Sequence, residues 1–305
     1  RGLVTFFSRS TDTKIRALYT AMQKEEMLNK PPEDGEALKE RLQTHLRERW
    51  KNKVLHGRFL KQLEEGGCDP DATWAWLNKE SLSRYTEADV FAAQDQAIRT
   101  NWLKAAIEKQ NGVTEKCRIC NQYNETVEHI LNGCQKLSNG DYKLRHDRVA
   151  AALHWGMCKD YGFPAESKWY SHYAEKVLEN ENYKILWDFH IQTDNPIEAC
   201  KPDLVLLDKQ KKEALLIDVA VPKDRSVSDR ELEKIEKYQE LRREVTRIWE
   251  LKKATVIPIV IGALGGVSPR LEKYLTAVTR HIYPSQLQKS VLFNSINTLR
   301  KVLDM

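Results

Sequence analysis

The 305-residue chain has no long hydrophobic run: its longest uncharged apolar stretch, TVIPIVIGALGGV at 255–267, has 13 residues. A helix that short does not cross a bilayer, so a membrane-spanning protein is not expected. No cleavable signal pattern follows Arg1, and the chain reads as a segment of something longer. Internal repeats and low-complexity tracts are missing as well, which excludes a repeat array. Cysteine is scarce, with six in all, too few to staple a chain of this length as a secreted disulfide framework.

The composition is 41% hydrophobic and 30% charged, that of a globular protein, and the length predicts two or three domains. The net charge is +5, and it is unevenly placed. Between Glu36 and Lys61 there are eight basic residues, among them Arg47, Arg49, Lys51, Lys53 and Arg58, against three acidic ones. Such a stretch suits a polyanion, because displacing counterions from phosphates favours binding. A solvated helix face would look the same.

Hydrophobic spacing predicts helices over 11–28 and 35–63, broken by Pro31 and Pro32, then over 74–83 and over 86–109, the last opened by a Thr86 to Asp89 cap. Trp74, Trp76 and Leu77 read as core anchors. A further helix is expected over 141–161. Val-, Ile- and Leu-rich strands follow at 183–192, 204–208, 214–221 and 255–263, with a charged helix over 229–253 between the last two and a helical region over 269–303. Strands alternating with helices predict an α/β domain. The expected divisions are a helical linker at 1–112, a Cys/His module at 113–137 and the α/β domain at 138–305.

Three of the cysteines lie in the module. Cys117 and Cys120 are followed by eight residues to His129 and four more to Cys134. Two cysteines two residues apart fold back onto one ion, and a His and a Cys beyond them complete a tetrahedron of the soft donors that Zn²⁺ prefers. With all four positions filled the zinc is structural. Cys68, Cys158 and Cys200 read as plain buried thiols. The basic neighbours of the module, Arg118 and Arg145 among them, favour a nucleic-acid partner.

The segment from Lys201 to Ala220 carries two apolar strands around the polar turn DKQKKE. A turn centred between Gln210 and Lys211 sets Asp203 directly across from Asp218, with Cβ atoms roughly 4.5–5.5 Å apart. Two carboxylates so close repel unless a divalent cation bridges them or one is protonated. On the next helix Lys234, Lys237 and Tyr238 share one face. Carboxylates holding Mg²⁺ or Mn²⁺, with an ammonium beside them, are what phosphodiester hydrolysis needs.

The order of these elements carries a resemblance. The Cys/His array, RHDRVAAALHW (145–155), KPDLVLLD (201–208), LLIDVAVP (215–222) and EKIEKYQELRREV (233–245) resemble the C-terminal region of non-LTR (LINE) retrotransposon proteins that carry a restriction-like endonuclease. WKNKVLHGRF, TWAWLNKESL and AAQDQAIRTNWLK resemble the helical linker before that family's zinc knuckle. The resemblance implies a PD-(D/E)xK-type core with a mixed central sheet, a CCHC zinc knuckle and an all-α linker. It implies Asp203 and Asp218 as the Mg²⁺- or Mn²⁺-binding acids. Where the standard motif has its lysine this chain has Ala220, and the family's KxxKY-like element is matched by Lys234, Lys237 and Tyr238, without a choice between the lysines. Arg145 and His146 become DNA-contacting or nuclease-associated residues. The implied function is nicking of double-stranded target DNA in the nucleus for target-primed reverse transcription, with element RNA as a second partner. The chain has no YxDD-type polymerase signature, so the reverse transcriptase must be supplied from elsewhere. The alternative expectation is a catalytically silent module that positions the polymerase on nucleic acid.

Overall fold

The computed structural model describes residues 35–77 and 82–305, with Thr13, Arg16, Ala17 and Thr20 before them. The helix expected over 11–28 and the break after it lie almost wholly outside the described residues, as does the end of the one expected over 74–83. The chain forms two compact units, 1–57 and 58–305. The expected divisions at 112 and 137 do not separate bodies. Apolar side chains of the Cys/His module are buried in one cluster with those of helices before and after it, so the module is part of a larger core.

In the first unit α1 (Gly35–Lys51) ends well short of the expected residue 63. The chain turns at 52–57, where a Cβ on Gly57 would lie 2.3 Å from the carbonyl oxygen of Lys51. Only glycine allows that approach. Helix α2 (Arg58–Glu65) then opens the second unit.

A 3₁₀ segment, Ala72–Leu77, buries Trp76 completely and Trp74 partly, whereas Leu77, expected in the core, is exposed. Helix α3 (Arg84–Gln94) is capped by Ser83 rather than Thr86, for the Ser83 hydroxyl accepts the Thr86 N–H at 3.3 Å. It stops before the expected residue 109, because Gln96 takes a left-handed φ of 56°. Leu103–Ile107 forms a separate π-type turn. Helix α4 (Val127–Asn132) lies within the Cys/His module, and α5 (Lys143–Tyr161) follows it.

The α/β part is a five-stranded mixed sheet in the order β1 (Val177–Glu179), β2 (Tyr183–Trp187), β3 (Leu204–Asp208), β4 (Glu213–Ala220), β5 (Lys253–Val260). The first four strands pair antiparallel, and β5 runs parallel to β4. A parallel neighbour requires a crossover, supplied by α6 (Val227–Lys237) and α7 (Gln239–Ile248). The single helix expected over 229–253 is therefore two helices, and its last residue, Lys253, belongs to β5. Helices α8 (Leu271–Val278) and α9 (Pro284–Leu303) close the chain. No described helix is long and apolar enough to cross a membrane.

Both faces of the sheet are covered, which is why its central strands are apolar throughout rather than alternating with polar residues. Leu204, Leu206, Ile217, Val219 and Ile257 pack with Val149 and Leu153 of α5. Val205, Leu216 and Val256 pack with Leu241 and Val245 of α7 on the opposite face.

Helix α5 meets the segment after α8 at Gly156, where a Cβ would fall 2.5 Å from Thr279 Oγ1. Thr279 is held there, its hydroxyl donating to Asp160 Oδ2 at 2.7 Å. Gly156→Ala gains about 1 kcal/mol of helix propensity but overpacks this contact, so a net loss of about 1–2 kcal/mol is expected. Urea denaturation checks it; an unchanged or higher midpoint would show that Thr279 gives way.

Candidate active site and metal centre

The Asp208 carboxylate accepts the Lys211 N–H at 2.8 Å, and Lys212 takes a left-handed φ of 58°, which closes the β3–β4 turn where it was expected. The ladder runs from Asp208↔Glu213 to Leu204↔Ile217. One step further along this register lie Asp203 and Asp218.

Asp218 is a carboxylate in a strand interior, only 3% exposed. Its Oδ1 accepts the Tyr238 hydroxyl at 2.6 Å, and its Oδ2 faces the Lys234 ammonium, also at 2.6 Å. The Tyr238 oxygen also lies 3.1 Å from Lys201 O and receives Lys237 Nζ at 3.0 Å. Tyr238 sits at the junction of α6 and α7, with φ −101° and ψ 12°. Burial and the neighbouring Asp218 push the phenol's pKa up, so it stays a donor. The two lysines therefore differ: Lys234 meets the acid, while Lys237 meets the tyrosine that holds the acid.

Asp203 Oδ2 accepts the Val219 N–H at 2.7 Å and faces His146 Nε2 at 3.1 Å. His146 Nδ1 lies 3.0 Å from Asp147 Oδ1. Burial alone would raise the Asp203 carboxyl, but His146, Val219 N–H and Lys234 outweigh it and hold it below the usual carboxylate range. For His146, burial would lower the pKa; Asp203 and Asp147 outweigh that and raise it to about 9. His146 is thus a cation at neutral pH.

Lys234 and His146 line a cleft of about 630 Å³ together with Lys143, Lys223, Arg225 and Arg230. Among the described residues, Glu233 is the one acidic side chain on its wall. Such a wall attracts phosphates. Lys223 and Arg225 are partly engaged by Glu128, at 2.8 and 3.2 Å.

The expected nucleic-acid contacts divide. Arg47, Arg49 and Lys53 are exposed and Lys51 is half-buried, all in the first unit. Arg58 belongs to the second unit and lies 4.0 Å from Glu128. Arg145 also borders the basic cleft but is only 2% exposed, its guanidinium donating to Leu131 O and Ser295 Oγ, so that it ties α5 to its neighbours. Arg118 is committed to Glu125, with Nε and Nη2 both at 3.0 Å, and pins the Cys/His module.

In that module the ligand atoms of Cys117, Cys120, His129 and Cys134 all lie within 4.8 Å of one another. Cys120 Sγ is 3.4 Å from His129 Nε2. The Lys116↔Asn124 bridge and the left-handed Asn121 bend the chain back between the two leading cysteines and α4. Thr126 Oγ1 accepts the His129 N–H at 3.0 Å and orients the helix that carries the histidine. Burial lowers the His129 pKa, which favours the neutral imidazole that a metal binds, and raises the Cys134 thiol to about 11. Such a thiol ionises readily only beside a cation. This donor set can hold a metal ion such as zinc.

One cluster has no counterpart in the sequence reading. His154, Cys158 and His172 also bring their ligand atoms within 4.8 Å. The HxxxC spacing on α5 is its one local signal. Cys158 is buried as expected, whereas Cys68 and Cys200 are only partly so. Comparison of the chain with protein-family models and with curated proteins finds no match.

The raised His146 pKa fixes a sign. A folded value above the ordinary 6.5 means that the pairing with Asp203 stabilises the fold fully below that pH and ceases to do so as pH rises through about 9. The His146 ring resonances should titrate near pH 9 by NMR and fall back towards neutrality in Asp203→Asn. A midpoint unmoved by that substitution would contradict the pairing.

Proposed function

We propose that the chain is a divalent-metal-dependent DNA endonuclease segment, with a restriction-endonuclease-like core and a zinc knuckle, of the kind found in non-LTR retrotransposon proteins. The observation that carries this reading is the convergence of Asp203, Asp218, Lys234 and Tyr238 beside a basic cleft. The donor chemistry fits a hard cation: Asp218 Oδ2 is buried and lies 2.6 Å from an ammonium, a position suited to positive charge. Asp203 and Asp218 would hold Mg²⁺ or Mn²⁺. When bound, that ion polarises the phosphate and lowers the pKa of the attacking water.

The remaining steps belong to the chain's own groups. Lys234, released from Asp218, is placed to orient the water or to offset charge on the phosphorus oxygens. Tyr238 holds the Asp218 carboxylate through Oδ1, and Lys237 steadies the phenol from the outer side. His146 lies 3.1 Å from Asp203 and would help to position that carboxylate. Lys143, Lys223 and Arg230 on the cleft wall would take backbone phosphates without reading bases. Target double-stranded DNA in the nucleus, element RNA and a reverse transcriptase from elsewhere are the partners this reading implies. The internal pairing of both carboxylates favours, as a second reading, a silent module that binds nucleic acid without cutting it.

Nicking of supercoiled plasmid with Mg²⁺ or Mn²⁺ separates the two. The parent chain should yield nicked circles, abolished by EDTA, with Asp203→Ala, Asp218→Ala and Lys234→Ala each about 10²–10³-fold slower and Lys237→Ala much less affected. Binding without nicking would favour the silent module. Equal losses in the two lysine variants would contradict the separate roles given to them.

A further inference from the structure

We propose that His154, Cys158 and His172 form a second zinc site, separate from the four-residue cluster, that fastens the segment after α5 to that helix. His154 and Cys158 lie one turn apart on α5, and His172 comes back to them from the irregular connection ahead of β1. Cys158 Sγ is 3.5 Å from His154 Nδ1, and that nitrogen is 2.7 Å from His172 Nε2. The set offers one thiol and two imidazoles, the donors that zinc selects.

The surroundings are those of a ligated histidine. Glu166 Oε2 accepts from His172 Nδ1, so the proton of a neutral His172 is on Nδ1 and its Nε2 lone pair faces the other two residues. A carboxylate behind a histidine in this way is the usual outer partner of a metal ligand, fixing both tautomer and ring orientation. His154 is 0% exposed, and its buried Nε2 has no hydrogen-bond partner among the described residues. A cleft of about 350 Å³ borders the set and is lined by Glu166 and Glu175 as well as by both histidines. Glu175 or water from that cleft would complete a tetrahedron.

Two imidazole nitrogens 2.7 Å apart share a proton. Around zinc they would stand about 3.3 Å apart, given Zn–N bonds of about 2.0–2.1 Å at tetrahedral angles. Zinc therefore takes the place of that shared hydrogen bond. The His154 proton moves from Nδ1 to Nε2, and Cys158 loses its thiol proton to solvent, so each ion bound releases one proton. The site would anchor helix α5, which also carries His146 towards Asp203 two turns earlier. It does not depend on that pair being catalytic.

Metal content of the full chain, purified with Zn²⁺ and measured by mass spectrometry, tests the proposal. Two zinc ions per chain are expected, one in Cys158→Ser and one in His172→Gln, with Cys120→Ser losing the other ion. Replacement by Co²⁺ in Cys120→Ser should leave a tetrahedral visible spectrum with a single-thiolate charge-transfer band, which Cys158→Ser removes from the double variant. Glu166→Gln should weaken zinc affinity about 10–100-fold with the fold intact by circular dichroism. Should Cys158→Ser fail to fold, His172→Gln and Glu166→Gln still decide. One ion in the parent, or two that persist in both Cys158→Ser and His172→Gln, would overturn the proposal.

Discussion

A carboxylate buried inside a strand is costly unless it is paired and hydrogen-bonded, and Asp218 is such a carboxylate. Lys234 and Tyr238 answer that cost from the neighbouring crossover, four residues apart on one side of the helical segment. Much of the α/β part follows from bringing them there. The crossover must leave β4, pass over the face that carries Leu216, deliver a lysine and a tyrosine to the acid, and return parallel as β5. The interruption at Tyr238 belongs to this arrangement, because the residue that ends α6 is the one that grips Asp218. Removing one partner of such a pair leaves a buried charge uncompensated, at a cost of about 3–5 kcal/mol, so the cluster supports the fold whatever chemistry it performs.

The Cys/His module is tied in by a different force. Cys117, Cys134, Val127 and Ile130 are buried together with Leu292, Ile296 and Leu299 of α9, so a metal held there braces the apolar core shared with the last helix. Glu125, itself buried, joins the module to the preceding segment through Asn101 N–H and to Arg118. Module, helices and sheet are thus one body from Arg58 onward.

The β3–β4 register was readable because a short polar turn leaves two apolar strands little choice, and a slip of one residue would turn every side chain to the wrong face. The four-cysteine/histidine set was readable because its ligands are close in sequence. The interruptions at 52–57, at Gln96 and at Tyr238 were not, since helical periodicity continues through all three and tertiary contacts decide where the helix stops. Strand β1 has three residues at the sheet edge, too few for a pattern. Arg145 looked like a phosphate contact because sequence shows charge and not burial; only the fold turns its guanidinium onto Leu131 and Ser295. His172 joins His154 and Cys158 across an irregular loop, a distance that no local spacing encodes.

The central claim is that Asp203 and Asp218 form one site for a hard divalent cation. Titration of the zinc-loaded full chain with Mn²⁺, followed by electron paramagnetic resonance, tests it without any dependence on cleavage. The account predicts bound Mn²⁺ in the parent and its loss in both Asp203→Asn and Asp218→Asn, two substitutions that keep side-chain shape while removing charge. Mn²⁺ binding unchanged by both would contradict it.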